Sequence, residues 1–249
     1  MARRYLTTTD VARAVGVHPN TVRLYEEWGF LPPIPRDPRN GYRRFTPRHV
    51  AQMRLARTAL QWPYPGGKEP VLALVFQAAA GDLGGALENA YHYLAQIQAA
   101  RARAEAAATL LERWAQGIPT DATSRPLRIG EVAERLGLSR DVLRNWERDG
   151  LLTVPRDPGN GYRLYSAENI ARLRVIRMLR EAGYSAMAIL RMLLQLDRGE
   201  RDDPRAALDT PRPDEELLSV ADQWLTTLAA QEERARSIIA QLEAMLGES

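Results

Sequence analysis

Arginine and aromatic side chains occur together at two places in the chain, about 120 residues apart. The pairs are Arg23 with Tyr25, Arg144 with Trp146, Tyr42 with Arg43, and Tyr162 with Arg163. A guanidinium group matches the geometry of a phosphate or of a guanine edge, and a tyrosine hydroxyl can donate to a phosphate oxygen. These residue types at these spacings therefore predict binding of a polyanion at two separate sites.

Covalent catalysis and metal binding find little support in the sequence. The chain has no cysteine, which removes disulfides, thiolate catalysis and cysteine-ligated metal sites. Its three histidines, His18, His49 and His92, fall in different predicted elements without a neighbouring nucleophile or ligand cluster. We therefore expect a protein that is not an enzyme and that has no cofactor and no bound metal.

Positive charge is concentrated in two separate blocks. Residues 1–60 carry 11 arginines against 4 acidic residues, and residues 126–184 carry 11 against 8. Residues 199–249 carry 5 arginines against 12 acidic residues. The two basic blocks suit attraction to phosphate backbones, although charge alone fits an arginine-rich solvated surface equally well.

Length and hydropathy bound the class of protein. A chain of 249 residues, of which 45% are hydrophobic, has room for one large domain or two small ones. It has no apolar run of the ~18 residues that a membrane span needs. Its first residues, Met-Ala-Arg-Arg-Tyr, lack the apolar core of a signal peptide. We expect a cytoplasmic protein.

The two basic blocks are copies of one sequence unit. Residues 6–31 align with 127–152 at an offset of 121. After a one-residue slip, residues 35–43 align with 155–163, and eight of these nine positions are identical. An internal repeat of this quality predicts two copies of one structural unit. We name them module one, residues 5–80, and module two, residues 127–198.

Each module begins with two short helices joined by a tight turn. In module one the sequence predicts helices Thr9–Ala14 and Pro19–Trp28, with Thr8 or Thr9 as the first N-cap and Gly16 in the turn. In module two the corresponding residues are Gly137 in the turn, Ser139 as N-cap and Gly150 at the end of the second helix. Two short helices around a glycine turn are typical of a helix-turn-helix.

A hairpin and two further helices follow in each module. The Asn-Gly pair within residues 34–45 favours hairpin closure, so this segment predicts a wing. Helices are predicted at Pro47–Leu60, 69–79, Ala167–Glu181 and 186–197, with Val50, Met53, Leu55, Ile170, Leu173 and Ile176 as buried candidates. The modules differ at the loop 62–67, where module two has only Gly183-Tyr184-Ser185.

Each module leads into a long helix with a heptad pattern, predicted at 82–116 and at 214–246. The apolar positions are Leu83, Leu87, Ala90, Leu94, Ile97, Ala104, Ala108, Leu111 and Ala115 in the first helix, and Leu217, Ala221, Trp224, Leu228, Ala235, Ile238, Leu242 and Met245 in the second. Polar breaks at Arg101 and Gln231 would fix the register of an antiparallel pair, or would simply extend out of the seam.

Several motifs carry a family resemblance. In module one they are Asp10-Val11-Ala12, Gly16-Val17, Thr21 to Glu26, Gly29-Phe30-Leu31 and Asn40 to Phe45; in module two they are Gly130 to Ala133, Gly137 to Ser139, Leu143 to Glu147, Gly150 to Leu152 and Asn160 to Tyr165. Taken with the two long helices, these motifs resemble the MerR family of bacterial transcription regulators. The resemblance implies a mainly α fold, in which two winged helix-turn-helix domains are each followed by a long helix and the long helices form an antiparallel coiled coil.

The resemblance also implies a function. Such proteins usually act as homodimers that bind pseudo-palindromic promoter sites and distort the DNA for RNA polymerase, which would place this chain at the nucleoid. Two modules in one chain favour a single-chain pseudo-dimer on an asymmetric operator, because the predicted linker 117–126 can span roughly 30 Å. A homodimer of tandem chains with four modules and an architectural DNA-bending protein are the alternatives.

In this family the second helix of the helix-turn-helix enters the major groove and the wing contacts the flanking DNA. The DNA-binding residues expected from the resemblance are His18, Asn20, Thr21, Arg23, Tyr25, Arg36, Tyr42, Arg43, Arg44, Ser139, Arg140, Asp141, Arg144, Trp146, Arg156, Tyr162 and Arg163. Tyr42 and Tyr162 could instead pack against the module core. Asp141 could complement the helix dipole rather than accept from a cytosine.

A small-molecule effector is a further candidate partner. Its pocket would lie between the modules and the coiled coil. The aromatic residues available to line it are Trp62, Tyr64, Tyr91, Tyr93, Trp114 and Trp224. Aromatic residues at helical spacing also occur as ordinary core, so this pattern leaves both interpretations open.

Overall fold

The helices begin and end where caps and left-handed glycines permit. The computed structural model describes residues 5–117, 125–210 and 220–248. Within these ranges the helices are α1 (Thr8–Val15), α2 (Pro19–Glu27), α3 (Pro47–Ala59), α4 (Glu69–Ala80), α5 (Leu83–Ala115), α6 (Ile129–Leu136), α7 (Arg140–Arg148), α8 (Ala167–Glu181), α9 (Ala186–Asp197), α10 (Pro204–Asp209) and α11 (Trp224–Gly247). The mainly α fold with two winged helix-turn-helix modules is confirmed.

The turn between the first two helices of each module depends on glycine. Gly16 has a φ of 68° and Gly137 a φ of 60°, both in the left-handed region. The N-cap of α1 is Thr7 rather than the predicted Thr8 or Thr9. Thr7 is favoured because it exchanges hydrogen bonds with Asp10, three residues further on, in a capping box.

Each wing is a tight hairpin that pairs through single bridges. Arg36 bridges Arg43 in module one, and Arg156 bridges Arg163 in module two. A second bridge, Leu6 to Phe45, ties the base of the first wing to the residues before α1. The predicted wings are therefore present, with little extended pairing.

The two modules have equivalent cores. Val11 and Val132 are fully buried at matching positions of α1 and α6, and Phe45 and Tyr165 are fully buried after the wings. The six candidates of the following helices, Val50, Met53, Leu55, Ile170, Leu173 and Ile176, are all buried, as predicted. Burial of an aliphatic or aromatic side chain contributes about 1.5–3 kcal/mol, so each small module is held mainly by this cluster.

A second set of equivalent contacts ties α3 and α8 to the helix-turn-helix. The guanidinium of Arg57 donates to the carbonyls of Val15 and Gly16, and that of Arg177 donates to the carbonyl of Leu136. These carbonyls end α1 and α6, where a positive charge also complements the helix dipole. The angle between the helices of each motif is thus fixed from outside the motif.

The chain divides into two compact units. The first comprises Met1–Ala99 with Leu228–Ser249, and the second comprises Ala100–Thr227. The first unit holds module one, the N-terminal half of α5 and most of α11. The second holds the C-terminal half of α5, module two, α10 and the start of α11. Each unit therefore combines one module with segments of both long helices.

The two long helices run antiparallel where they meet in the first unit. The Tyr91 hydroxyl donates to Glu243 at 2.9 Å, and the Gln98 amide donates to Glu232 at 3.1 Å. Residue numbers therefore rise along α5 while those of their partners fall along α11. Arg101 pairs with Glu105 of its own helix at 2.9 Å, so its role in register stays a prediction, as does supercoiling along the full length.

The buried face of the long helices follows the heptad pattern with local exceptions. On α5 the buried residues include Ala86 and Tyr93 where Leu87 and Leu94 were predicted. Leu83, Ala90 and Ile97 are buried as predicted, so the spacing is 3,4 rather than the predicted 4,3 and only the position between them changes. The predicted start of the second long helix, 214–219, and most of the predicted linker, 118–124, lie outside the described residues. Within the described ranges no helix is long and apolar enough to cross a membrane.

Candidate nucleic-acid interface

The N-termini of α2 and α7 present the residues expected to meet base edges. His18 caps α2, where its Nδ1 accepts from the Asn20 backbone N–H at 3.2 Å. Ser139 caps α7 at the matching position and accepts from the Val142 N–H at 3.2 Å. The side chains at this end of the two helices are exposed at His18, Asn20, Ser139, Arg140 and Asp141. The observed cap of α2 and the predicted cap of α7 therefore both face solvent.

Each module holds its central arginine through a neighbour one helical turn earlier. The Arg23 guanidinium donates to the Asn20 side-chain oxygen at 2.8 Å, and the Arg144 guanidinium donates to the Asp141 carboxylate at 2.9 Å. Such a bond limits the rotamers of an exposed arginine before it meets a ligand. Asp141 thus has a partner that neither sequence interpretation anticipated.

Tyr25 and Trp146, expected at the DNA backbone, lie partly within the modules. Both rings pack against the buried core of their module. Burial raises the pKa of the Tyr25 hydroxyl, against the opposing charge of Arg57. Thr21 is likewise half-buried.

The tips of the wings are built by the same hydrogen bonds in both modules. Tyr42 N–H donates to the Asn40 side chain at 3.0 Å, and Tyr162 N–H donates to Asn160 at 3.0 Å. Glycine follows each asparagine with a φ near 70°, as Asn-Gly predicted. Tyr42 is 73% exposed and Tyr162 is 59% exposed, so neither packs in the core.

The arginine after each of these tyrosines has a carboxylate partner on the second helix of its helix-turn-helix, α2 or α7, which we call the recognition helix. Arg43 Nε lies 2.5 Å from Glu26 Oε2, and Arg163 Nε lies 2.5 Å from Glu147 Oε2. All four side chains are only about a quarter exposed: 27% and 22% in module one, and 26% and 20% in module two. The pairs connect the wing to α2 and α7; the sequence predicted that both arginines contact phosphates or the flanking minor groove, and that contact stays a prediction.

The wings differ at the next residue. Arg44 donates to Asp37 at 2.7 Å and lies over the Tyr5 ring at 5.0 Å, beside a cleft of about 320 Å³. The hydrogen bond from Arg44 holds the pKa of Asp37 below its usual range. Module two has Leu164 at this position and instead places Arg128 over the Tyr162 ring at 5.3 Å.

Arg128 was missed by the sequence reasoning because module one has Thr7 at the matching position. The weaker candidates Arg36 and Arg156 are exposed. Arg36 lies 3.6 Å from Glu26, and Arg156 donates to the Gly161 carbonyl at 3.3 Å. Arg128 lies beside the base of the second wing because residue 127 pairs with residue 165, and this pairing is visible only in the structure.

The three histidines have separate local partners. His18 caps α2, His49 accepts from the Thr46 N–H at 3.1 Å, and His92 lies 3.8 Å from Glu88. Across residues 5–117, 125–210 and 220–248, no group of three histidine, cysteine or acidic residues is placed to hold a metal ion.

Comparison with known proteins places this geometry in a family. A family model described as "MerR HTH family regulatory protein" matches residues 6–62 and 127–196, just over half of the chain. The chain belongs to the MerR family. The two matched ranges coincide with the two modules, so the MerR-type winged helix-turn-helix occurs twice in this one chain.

Among MerR-family relatives, the mercuric resistance operon regulatory protein of Bacillus cereus is 37% identical over 73 residues, which cover 29% of this chain and 55% of that protein. The nodulation protein NolA of Bradyrhizobium elkanii is 41% identical over 61 residues, 24% of this chain and 28% of the relative. The HTH-type transcriptional regulator CueR of Escherichia coli O157:H7 is 29% identical over 106 residues, 40% of this chain and 78% of the relative.

The chain spans about half of the first of these relatives and less than a third of the second. No solved structure gives a significant match. Similarity to these first two relatives therefore rests on MerR-type segments rather than on whole proteins.

Proposed function

We propose that this chain is a sequence-specific DNA-binding transcription regulator. The observation that carries the proposal is the repeated side-chain arrangement at the two recognition helices, in which a positioned arginine follows an exposed, capped helix N-terminus. Arginine is the usual reader of guanine in the major groove, and the N-terminus of a recognition helix faces the base edges. The names of the MerR-family relatives, which are regulatory proteins, agree with this function.

The remaining DNA contacts divide by chemistry. His18, Asn20, Ser139 and Arg140 are exposed near the base-reading arginines. Tyr42, Tyr162 and the exposed arginines Arg36 and Arg156 are proposed to meet the backbone. The proposal assigns Arg43 and Arg163 to positioning of the wing, because each is already neutralised by a glutamate.

The proposed operator is asymmetric. Module one offers His18, Asn20 and Arg44 where module two offers Ser139, Asp141 and Leu164. Asn20 can bind adenine and Asp141 can accept from cytosine, so the two half-sites should differ in base sequence. A palindromic site would satisfy only one of the modules.

The proposed assembly is a single-chain pseudo-dimer. It is supported by contacts inside each compact unit. Module one is bonded to the second long helix through Arg234, which donates to the Gln61 carbonyl at 2.5 Å. Module two is bonded to the first long helix through Tyr184, which donates to the Ala104 carbonyl at 3.2 Å. The helix that follows module two, α10, is bonded to the same long helix through Arg205, 2.8 Å from Glu112. Each module thus already has, in its own chain, the crossed helix that a homodimer would receive from a partner.

The regulator is further proposed to bend and untwist promoter DNA so that RNA polymerase can use an overlong spacer. Transcription in vitro from a long-spacer promoter, with and without the chain, separates a regulator from a purely architectural protein. Sedimentation of the free chain tests the assembly: a stable two-chain species would favour the four-module alternative.

The DNA contacts are tested on an operator selected from a random duplex library by the chain itself. Arg23→Ala and Arg144→Ala should each weaken binding by roughly 10- to 100-fold, and each should relax base preference in a different half-site. The control is Arg103→Ala, an exposed arginine of α5 outside both modules. Unchanged affinity and preference in both variants would refute the groove assignment.

A further inference from the structure

Module one contains an aromatic cleft that the proposed DNA contacts do not use. The cleft has a volume of about 310 Å³ and is lined by Tyr25, Trp28, Phe30, Leu60, Tyr64 and Lys68. The Phe30 ring meets Tyr25 at 5.5 Å and 86°, and meets Trp28 at 5.8 Å and 70°. Edge-on packing of this kind leaves ring faces free, and the volume lies at the lower end of small-molecule sites.

The wall of the cleft formed by the loop after α3 is bonded to α11 at its start and closed by a turn at its end. The guanidinium of Arg234 donates to the Gln61 carbonyl at 2.5 Å, and the Gly67 N–H donates to the Tyr64 carbonyl at 3.1 Å. Gly66 and Gly67 have φ values of 86° and 102°, which only glycine adopts readily. Tyr64 is therefore held in place as a wall of the cleft.

Two aromatic rings at or next to the cleft lining are poorly covered. Trp28, which lines the cleft, is 53% exposed, and Phe76, which packs on the lining residue Phe30 at 5.4 Å, is 45% exposed. Contiguous aromatic surface of this kind is unusual on a soluble protein unless something binds there. The sequence had suggested Tyr64 for a pocket but not Trp28, Phe30 or Lys68.

The charge on the lining of the cleft is positive. Lys68 is the only charged residue of the lining, and its ammonium lies 5.9 Å from the centre of the Tyr64 ring. Arg57 acts on Tyr25 and Arg234 acts on Tyr64, in each case opposing the rise in phenol pKa that burial causes. An aromatic cation would meet repulsion here, whereas an aromatic anion would gain a partner in Lys68.

The aromatic lining of the cleft has no counterpart at the equivalent positions of module two. There Asp149 stands for Trp28 and Leu151 for Phe30, and the loop that carries Tyr64 and Lys68 is replaced by Gly183-Tyr184-Ser185. The cores and the wings of the two modules nevertheless match closely. The aromatic cleft is therefore an addition to one module rather than a requirement of the fold.

We propose that this cleft binds a planar aromatic anion, such as an aromatic carboxylate or sulfonate, whose rings lie against Trp28 and Tyr64 and whose charge meets Lys68. The regulatory part of the proposal rests on the proposed function: Tyr25 belongs both to the cleft and to the recognition helix α2, so occupancy alters DNA binding by module one.

The binding test uses two probes with the same rings. 1-Anilinonaphthalene-8-sulfonate carries a negative charge and N-phenyl-1-naphthylamine carries none, and both are titrated into the full chain without DNA. Trp28→Leu should weaken both probes at least tenfold, whereas Lys68→Gln should weaken the sulfonate about fivefold or more and leave the neutral probe unchanged. Trp62→Leu is the matched control, because Trp62 is exposed on the same loop but does not line the cleft.

Lys68 is the only lysine of the chain, which gives an independent readout. Bound sulfonate should slow acetylation of the Lys68 amine, followed by mass spectrometry, and should not slow it in the Trp28→Leu variant. If both probes bound Trp28→Leu and Lys68→Gln as tightly as the parent chain, the proposal that they bind in this cleft would be contradicted. Equal loss of both probes in Lys68→Gln would overturn the preference for an anion.

A separate measurement tests regulation. Saturating sulfonate should change the affinity of the parent for its selected operator at least threefold, and should have no effect on Trp28→Leu. Probe binding without a change in operator affinity would overturn the regulatory step while the site stands. Because the probe titrations contain no DNA, failure of the proposed DNA-binding function would leave the binding result intact.

Discussion

The ion pair between Glu147 and Arg163 gives a direct test of the proposed role of the second wing in DNA binding. The pair is 2.5 Å long and its side chains are 20% and 26% exposed, so it is neither a solvated surface pair nor a fully buried one. While it is closed, Arg163 carries no uncompensated charge to the DNA. Replacement of Glu147 by glutamine keeps the size and one hydrogen-bond acceptor but removes the negative charge.

Glu147→Gln should change both the free energy of unfolding and the salt dependence of DNA affinity. A hydrogen bond between charged groups contributes about 1.5–3 kcal/mol and a neutral one about 1 kcal/mol, so the second unit should lose roughly 1–2 kcal/mol in free energy of unfolding. The freed Arg163 can neutralise one more phosphate, which should steepen the slope of log affinity against log salt by about 0.9. Affinity at low salt should therefore rise although the protein becomes less stable.

The assay is fluorescence anisotropy on the selected operator over a series of salt concentrations, with urea denaturation for stability. Arg163→Gln should leave the salt slope of the parent unchanged, because the proposal gives the paired arginine no phosphate contact. The double variant Glu147→Gln with Arg163→Gln should restore the parent slope and recover part of the lost stability.

One pattern of results would refute this reasoning. If Arg163→Gln flattens the salt slope by about 0.9 and Glu147→Gln leaves it unchanged, the pair opens on DNA and Arg163 binds a phosphate, as the sequence alone had suggested. The corresponding pair of module one, Arg43 with Glu26, serves as an internal repeat of the experiment.

Three further predictions concern stability. Burial holds the pKa of His49 below its usual range, and its Nδ1 accepts from Thr46 N–H, so the folded chain keeps it neutral. As the pH drops below about 6.5, the histidine binds a proton in the unfolded chain before it does so in the folded chain, so the free energy of unfolding should fall. His49→Asn copies Asn169 of module two and should remove this dependence of the free energy of unfolding on pH, measured by urea titration. Alanine at Gly183 would have a φ of 103° and a Cβ 2.6 Å from Trp224 Nε1. Gly183→Ala should lower the free energy of unfolding by about 2–4 kcal/mol, and part of this loss should disappear when Trp224 is also replaced by alanine. If the effects of Gly183→Ala and Trp224→Ala were strictly additive in the double variant, the clash between the two residues would be contradicted. Leu143→Ala, at a fully buried position, should cost about 2–5 kcal/mol by urea denaturation. A cost under about 1 kcal/mol would mean that the core of module two does not depend on it.

Local elements were the most predictable part of the fold. Helix α8 lies at the predicted Ala167–Glu181 and α9 at the predicted 186–197. The reason is that N-caps such as Ser166 and Ser185 act through backbone groups only a few residues away. The same logic could have found α10, since Asp203 caps it and Pro204 begins it, but the sequence reasoning passed over this short helix.

Contacts between distant residues were harder to predict. Arg43 and Glu26 are 17 residues apart, and no periodicity indicates that they meet. Likewise Gln52 donates to the carbonyls of Phe30 at 3.0 Å and Val75 at 3.1 Å, which joins three segments through one buried amide. Such pairs depend on the angle between helices, and that angle is a result of packing rather than of spacing along the chain.

By itself the sequence determined that there are two modules, where their helices and wings lie, and which family they belong to, because repeats, caps and glycine turns are encoded within short stretches of chain. The tertiary structure decided what the residues of those modules contact. It paired the wing arginines with glutamates, bonded each module to the long helix that follows the other, and assembled an aromatic cleft in module one from α2 and the segments that follow α2 and α3. Those choices follow from side chains that converge only once the helices have packed, since burial and electrostatics act through space.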